Sequence, residues 1–379
     1  MQQEYEKQLL KLIGIDARTS VESIAKELKI SKEAASGLLN NTIEKYQLSF
    51  VPEISFENLW HMEFAREARK QTKRGIIGEA GNIVANAGFN EYAIVIKFSG
   101  KEPEDTEIEK AFREEPMVQF FAKTKGKIDA FSYVVSRTYE DIKYMLEKLD
   151  KKLSRYDMEE SVIRLWPKLG FFPINTKLVD QFNLFDSFKN LIYGLMENGR
   201  ASFSDIGGKY GQGSTQMLYA YDRLIRTGVL RRVTYFENKP EKPLHLLFFI
   251  KKVNGEKFEK SIEKLYLDIV KESENSECDW LYLAETMSPL GMLAIARASG
   301  EKEAAKKISE VMRMAGAEAE YAYIGKQIIG HIGERNFDAR YSDIYQYLES
   351  RNLVKRMEER RAEISSIDTA ENVQGQEIS

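Results

Sequence analysis

The chain has 379 residues, 43% of them apolar and 30% charged, and carries 56 Lys+Arg against 59 Asp+Glu. This is the composition of an ordinary globular protein of two or three domains, and a net charge of −3 excludes a chain-wide affinity for polyanions, so any basic surface must be local. A single cysteine, Cys278, excludes an internal disulfide or a cysteine zinc cage; apolar runs as short as Leu246 to Ile250 fall well below the roughly 20 residues that span a bilayer; and the charged start MQQEYEKQLLKL is unlike a signal peptide, so we expect a cytoplasmic protein with no membrane partner.

In chain order, Leu9, Leu10, Leu12 and Ile13 give a first helix an apolar stripe that Gly14 ends. Ser20 is positioned to cap a second helix, with Ile24, Ala25 and Leu28 inward, and Ser31 a third, with Ala35, Leu38, Leu39 and Ile43 on its buried face. Three short helices with a tight turn before the third make a helix-turn-helix, and alternating Phe50 and Ile54 suggest a wing strand. Phe56 to Asn90 reads as an insert with a basic helix carrying Arg66, Arg69, Lys70, Lys73 and Arg74. Tyr92–Phe98, Glu104–Glu115, Val118–Lys123, Ala130–Ser136, Tyr139–Lys152 and Ser161–Trp166 then read as β-α-β-β-α-β, the ferredoxin-like order.

The second half repeats this plan. Phe185, Phe188, Leu191, Ile192 and Leu195 line a helix, Ser202 and Ser214 are cap candidates, and Met217, Tyr221, Leu224 and Ile225 bury a third helix. LRRVTYFENKPEKPLHLLFFI reads as a hairpin turning at Asn238 to Pro243. Leu246–Val253, Lys257–Ser273, Trp280–Thr286, Leu293–Ser299, Lys302–Met314 and Glu318–Ile324 give a second β-α-β-β-α-β, followed by a charged helix over Ser342–Ile364 and a polar tail.

Two ungapped self-matches support an internal repeat. The segment from Ala17 aligns with that from Gly199, placing Arg18 on Arg200, Ser20 on Ser202, Ile24 on Ile206 and Leu48 on Leu230. The segment from Gln119 aligns with that from Tyr282, placing Phe120 on Leu283, Tyr133 on Ala296 and Ile142 on Ala305. The expected fold class is therefore α+β, two copies of a winged helix-turn-helix plus a ferredoxin-like domain. Its boundaries are 1–55 and 181–243 for the winged helices, 56–90 for the insert, 91–176 and 244–332 for the sheet domains, and 333–379 for the C-terminal helix and tail.

DARTSVESIAKELKISKEAA, from Asp16, and TKGKIDAFSYVV, from Thr124, resemble the Lrp/AsnC, or feast/famine, regulators. In that family a winged helix-turn-helix precedes a ferredoxin-like effector domain. The second stretch is similar to the family's TGxxD loop, with Gly126 and Asp129 in the glycine and aspartate places; the corresponding TMSPLGMLAIA of the second half lacks both. The resemblance implies a covalent pseudo-dimer that regulates transcription, binds double-stranded DNA, holds a small-molecule effector near Gly126 and Asp129, and associates through its sheet domains.

A helix-turn-helix reads bases with the exposed face of its third helix, while Lys, Arg and small polar groups hold phosphates. The second copy offers Ser214, Thr215, Gln216, Tyr219, Arg223 and Arg226, then Arg231 and Arg232 at the wing base and Lys239 and Lys242 near its tip. The first offers Lys32, Asn40 and Lys45 against Glu33 and Glu44, so the second copy is the expected reader.

Catalytic motifs are missing from the sequence: His61, His245 and His331 form no HExxH, there is no GxSxG or Walker loop, and Cys278 is flanked by Glu277 and Asp279. The expectation is a non-enzyme without cofactor. Two alternatives stand beside it. Siroheme decarboxylases resemble the same winged-helix and sheet unit, occur as pairs or fusions, and carry a histidine in an arginine-rich stretch entering the first sheet strand. His245 in KPLHLLFFIKK stands near such a strand, without the arginine-rich context or the asparagine-rich element that follows it. The other is an interaction scaffold that has lost DNA binding.

Overall fold

In this computed structural model the described residues are 2–63, 90–170, 172–238, 243–251, 265, 280–287, 290–315 and 319–330. The chain begins with helices α1 (Gln2–Ile15), α2 (Val21–Leu28) and α3 (Lys32–Tyr46) and strand β1 (Leu48–Ile54). Ser20 and Ser31 cap α2 and α3, their hydroxyls accepting from the N–H groups of Ser23 and Ala34 at 3.1 Å. The matching elements of the second half are α7 (Asp186–Glu197), α8 (Phe203–Lys209), α9 (Ser214–Arg226) and β6 (Leu230–Glu237), with α6 (Thr176–Asp180) ahead of them. Ser202 caps α8, accepting from Asp205 at 3.0 Å. Gly213 rather than Ser214 occupies the N-cap of α9, so Ser214 is its first helical residue.

The two helical units clasp each other. Arg18 donates to the carbonyls of Gly199 and Ala201 at 2.7 and 2.9 Å, and Arg200 donates back to those of Ala17 and Thr19. Gly199 N–H meets the Phe50 carbonyl at 3.0 Å, and Ala17 N–H the Val233 carbonyl at 2.8 Å. The expected hairpin over β6 is corrected here. β6 pairs antiparallel with β1, from Leu48 opposite Glu237 to Ile54 opposite Leu230. Both strands are too buried to stand as one-sided hairpin arms, with Thr234 fully enclosed, and each satisfies the other's backbone.

The rest of the described sheet is one closed barrel. Its first-half strands are β2 (Asn90–Ser99), β3 (Val118–Gly126), β4 (Ala130–Ser136) and β5 (Asp157–Leu169), with α4 (Asp105–Arg113) and α5 (Tyr139–Lys152) outside. The second half adds β7 (Leu244–Lys251), β8 (Trp280–Met287), β9 (Leu290–Ala298) and β10 (Ala319–Ile329), with α10 (Glu301–Ala315). The order around the barrel is β10-β3-β4-β2-β5-β8-β9-β7, antiparallel at every step. Two separate ferredoxin-like sheets are thus replaced by a single wall. The expected helix over Lys257–Ser273, the basic helix of the insert and the helix over Ser342–Ile364 lie outside the described residues.

The seams match one another. At one, Leu165 faces Thr286 and, after a bulge, Lys168 faces Ala284; at the other, Ile324 faces Thr124 and, after a bulge, Gln327 faces Ala122. Beyond each bulge a glycine with positive φ closes the seam, Gly170 at +97° and Gly330 at +66°. A Cβ on either would sit 2.3 Å from a carbonyl oxygen, of Leu281 or Gln119.

The interior is filled by residues such as Phe120, Phe131, Tyr133, Leu247, Tyr282 and Ile295, continuous with the core of the helical units. The outer faces pack Ile94, Phe121 and Val134 under α4 and α5, and Leu246, Phe248 and Ala296 under α10. This corrects the second self-match by one residue. Tyr133 points inward and Ala296 outward; the register partners are Phe120 with Tyr133 and Tyr282 with Ile295. Ile142 likewise corresponds to buried Ala304, not to exposed Ala305.

Candidate functional site

Alternation along β7 places His245 in line with Leu247 and Phe249, on the face that lines the barrel. Its register partners are Arg297 on β9 and Ile324 on β10. Burial, and then the charge of Arg297, pushes the His245 imidazole down to about 4, so it is neutral at physiological pH. A neutral imidazole beside a guanidinium on an inward face is chemically poised: one group holds an anion, the other exchanges a proton with it.

β2 and β7 are four strands apart in an antiparallel ring of eight, so they run in the same direction on opposite walls. The position on β2 matching His245 is Glu91, whose register partner on β4 is Val135, where β9 has Arg297. Glu91 accepts a short hydrogen bond from the Tyr133 hydroxyl. Phe172 fills this side, its ring stacked on Tyr133 at 4.3 Å and lying 4.9 Å from Phe120 and 5.1 Å from Tyr282. Beyond β4, Arg137 bonds Glu63 at 3.1 Å under the ring of Trp60, and Glu63 also accepts from Asn183 N–H at 2.8 Å. The matching positions of the two halves therefore differ in chemistry: His245 with Arg297 on β7 and β9, Glu91 with Val135 on β2 and β4.

The expected DNA-contacting residues are divided. On α9, Ser214, Thr215, Gln216, Tyr219, Arg223 and Arg226 are exposed, as are Leu218, Asp222 and Ile225, the last expected to be buried. Arg232 is corrected: it bonds Glu53 at 2.8 Å and the Gly14 carbonyl at 2.9 Å, and its side chain is only 13% exposed. Arg231 lies 3.8 Å from the same carboxylate. The wing pairing draws both arginines toward Glu53, whose charge is otherwise buried. Lys239 and Lys242 lie outside the described residues, as do the five basic residues of the insert. On α3, Lys32 and Asn40 are exposed beside Glu33 and Glu44, while Lys45 is held by Tyr46 and Glu6 at 2.9 Å, which raise its pKa.

The effector loop is also used structurally. Asp129 accepts from Phe98 N–H at 2.7 Å, Thr124 donates to the Ile128 carbonyl at 2.5 Å, and Gly126 lies against Ala322 of β10. Gly126 thus lies in the seam with β10, and Asp129 ties the loop to β2. His61 stands on the surface 3.8 Å from Glu57, and His331 lies outside the described residues. Among the described residues no group of three His, Cys, Asp or Glu is placed to hold a metal, and no helix is long and apolar enough to cross a membrane.

Sequence reasoning reached His245 but missed Arg297, Glu91 and Tyr133. The available signal was period two: in LGMLAIARA an arginine falls on the inward-facing register of an apolar strand.

No family model matches the chain, and no curated protein matches its sequence. Among solved structures, the siroheme decarboxylase NirDL is similar over 94% of this chain and 99% of its own, with a TM-score of 0.53 at 12% identity. The same decarboxylase in co-complex with an iron-uroporphyrin III analogue matches over 93% and 99%, with a TM-score of 0.51 at 11% identity. An AsnC family transcriptional regulator from Agrobacterium tumefaciens matches over 38% of this chain and 92% of its own at 13% identity, with a TM-score of 0.31 that carries no argument. The expectation of a non-enzyme is overturned by this: the fold shared over nearly the whole chain is that of an enzyme. The exclusion had rested on contiguous sequence motifs.

Proposed function

We propose that the chain is a decarboxylase acting on a carboxylate-bearing iron tetrapyrrole, with His245 and Arg297 as its working pair. The observation that carries this is the inward-facing cross-strand pairing of a neutral imidazole with a guanidinium, in a fold similar over 94% of the chain to a siroheme decarboxylase. Arg297 binds a substrate carboxylate as a charge-assisted pair. That carboxylate brings negative charge beside His245 and raises its pKa from about 4, so the imidazole acquires a proton only when substrate is present. When the bond between the carboxyl carbon and its methylene breaks, CO2 leaves and the electron pair stays on the methylene carbon; the proton from His245 completes a methyl group.

The test is incubation of the full chain with siroheme, followed by absorbance spectra and mass spectrometry of the pigment. We expect a spectral shift and loss of carboxyl groups as CO2, reduced at least ~100-fold by His245→Gln and with weakened binding in Arg297→Gln. Absence of both shift and product in the wild type sinks the reading.

The matching seams, bulges and arginine clasps support an origin by duplication of one winged-helix and sheet unit. A second reading, DNA contact by α9, is favoured by one observation: Thr215, Gln216, Tyr219, Arg223 and Arg226 are exposed together on one helix. Gel shifts at two salt concentrations check it; binding that Arg223→Ala with Arg226→Ala leaves unchanged removes α9 as the reader.

A further inference from the structure

Nine large apolar side chains stand exposed among the described residues, and three of them, Leu218, Tyr219 and Ile225, lie on the one helix α9. Helical spacing puts them on the outward face with Asp222, Arg223 and Arg226. Arg226 donates to the Asp222 carbonyl at 3.2 Å, and no carboxylate of the described residues pairs with it or with Arg223. Scattered apolar side chains need no explanation, whereas a cluster mixed with arginine has the composition of a protein contact.

The equivalent helix of the first half has the opposite character. Where α9 has Thr215, Tyr219, Asp222 and Arg226 on its outward line, α3 has Glu33, Gly37, Asn40 and Glu44. A Cβ added at Gly37 would meet nothing within 4 Å, so the middle of this face is bare. Lys45 is turned away to Glu6, and neither Glu33 nor Glu44 has an ion pair among the described residues. Both faces are exposed in the chain, so neither covers the other.

We propose that α9 of one chain docks on α3 of a second copy of this chain, with Tyr219 seated over Gly37. Run antiparallel, the helices bring Arg223, four residues after Tyr219, opposite Glu33, four before Gly37. That is a rise of about 6 Å on each helix. Gln216 then falls opposite Asn40, and Asp222 opposite Ala34. The bulky and cationic face meets the bare and acidic one, and a two-fold pair uses the contact twice because each copy supplies both faces. The proposal goes beyond the decarboxylase reading and is independent of it.

Sedimentation velocity of the full chain at micromolar concentrations tests this. The wild type is expected to form a dimer that dissociates on dilution. Arg223→Glu and, separately, Glu33→Arg are each expected to weaken the dimer at least ~10-fold. An equimolar mixture of the two variants is expected to regain it, since each supplies the charge the other has lost; this recovery also shows that both are folded. Gly37→Gln, with open space around it in the chain, is expected to keep the thermal midpoint of the wild type and lose the dimer. A monomeric wild type overturns the proposal, as does a dimer that neither charge reversal weakens or that the mixture fails to restore. Duplex DNA bound by a monomeric chain and released by Arg223→Glu also overturns it, and gives α9 to nucleic acid instead.

Discussion

His245 gives the molecule a measurable acid sensitivity. Its folded-state pKa of about 4 lies below the ordinary 6.5, so the fold favours the neutral imidazole and the unfolded chain takes up the proton first. The stabilisation is complete above about 6.5 and is lost progressively as pH falls toward 4. Urea midpoints of the wild type should therefore drop between pH 7 and pH 5 by more than those of His245→Gln; equal drops would show that the imidazole is not held neutral. At this scale the sequence was informative about residue type and weak on partners. The reciprocal hydrogen bonds of Arg18 and Arg200 reach across the chain to carbonyls that no local pattern identifies. Arg232 looked like a surface cation because its counter-charge, Glu53, belongs to the other half.

Among elements, helices were more legible than strands. α5 was read with the bounds the structure gives it, because Thr138 and Asp141 form a capping box and the apolar stripe has the helical period. β6 was assigned to the wrong neighbour because alternation identifies a strand without saying what it pairs with. The one-residue slip in the second self-match has a similar origin. The bulges between Val118 and Phe120 and between Trp280 and Tyr282 break strict alternation, so an ungapped comparison scores both registers almost equally. The seam glycines allow a test at this level. Gly170→Ala and Gly330→Ala each force a Cβ to 2.3 Å from a carbonyl oxygen at positive φ, and each should cost ~2 kcal/mol or more. Gly208, in α8 with open space around it, should tolerate alanine or gain up to ~1 kcal/mol. Thermal unfolding of the three variants checks the ordering; a neutral Gly170→Ala would mean that the seam at β8 is not as tight as described.

For the whole molecule, the two halves are not beads on a string. The interior of the barrel and the helical units share one core, and every described barrel strand has a neighbour on both sides. The expectation of association through the sheets is thereby weakened, because a closed wall offers no strand edge to a second copy. The closure also bears on how the protein is made. β1 finds its partner in β6, and β3 in β10, so the early strands leave the ribosome long before the strands that complete them. At ~5–20 residues per second the wait is on the order of ten seconds or more. During synthesis the N-terminal half is thus a nascent chain with open, apolar strand edges. A chaperone that shields such edges would raise the yield of this protein most when translation is slow.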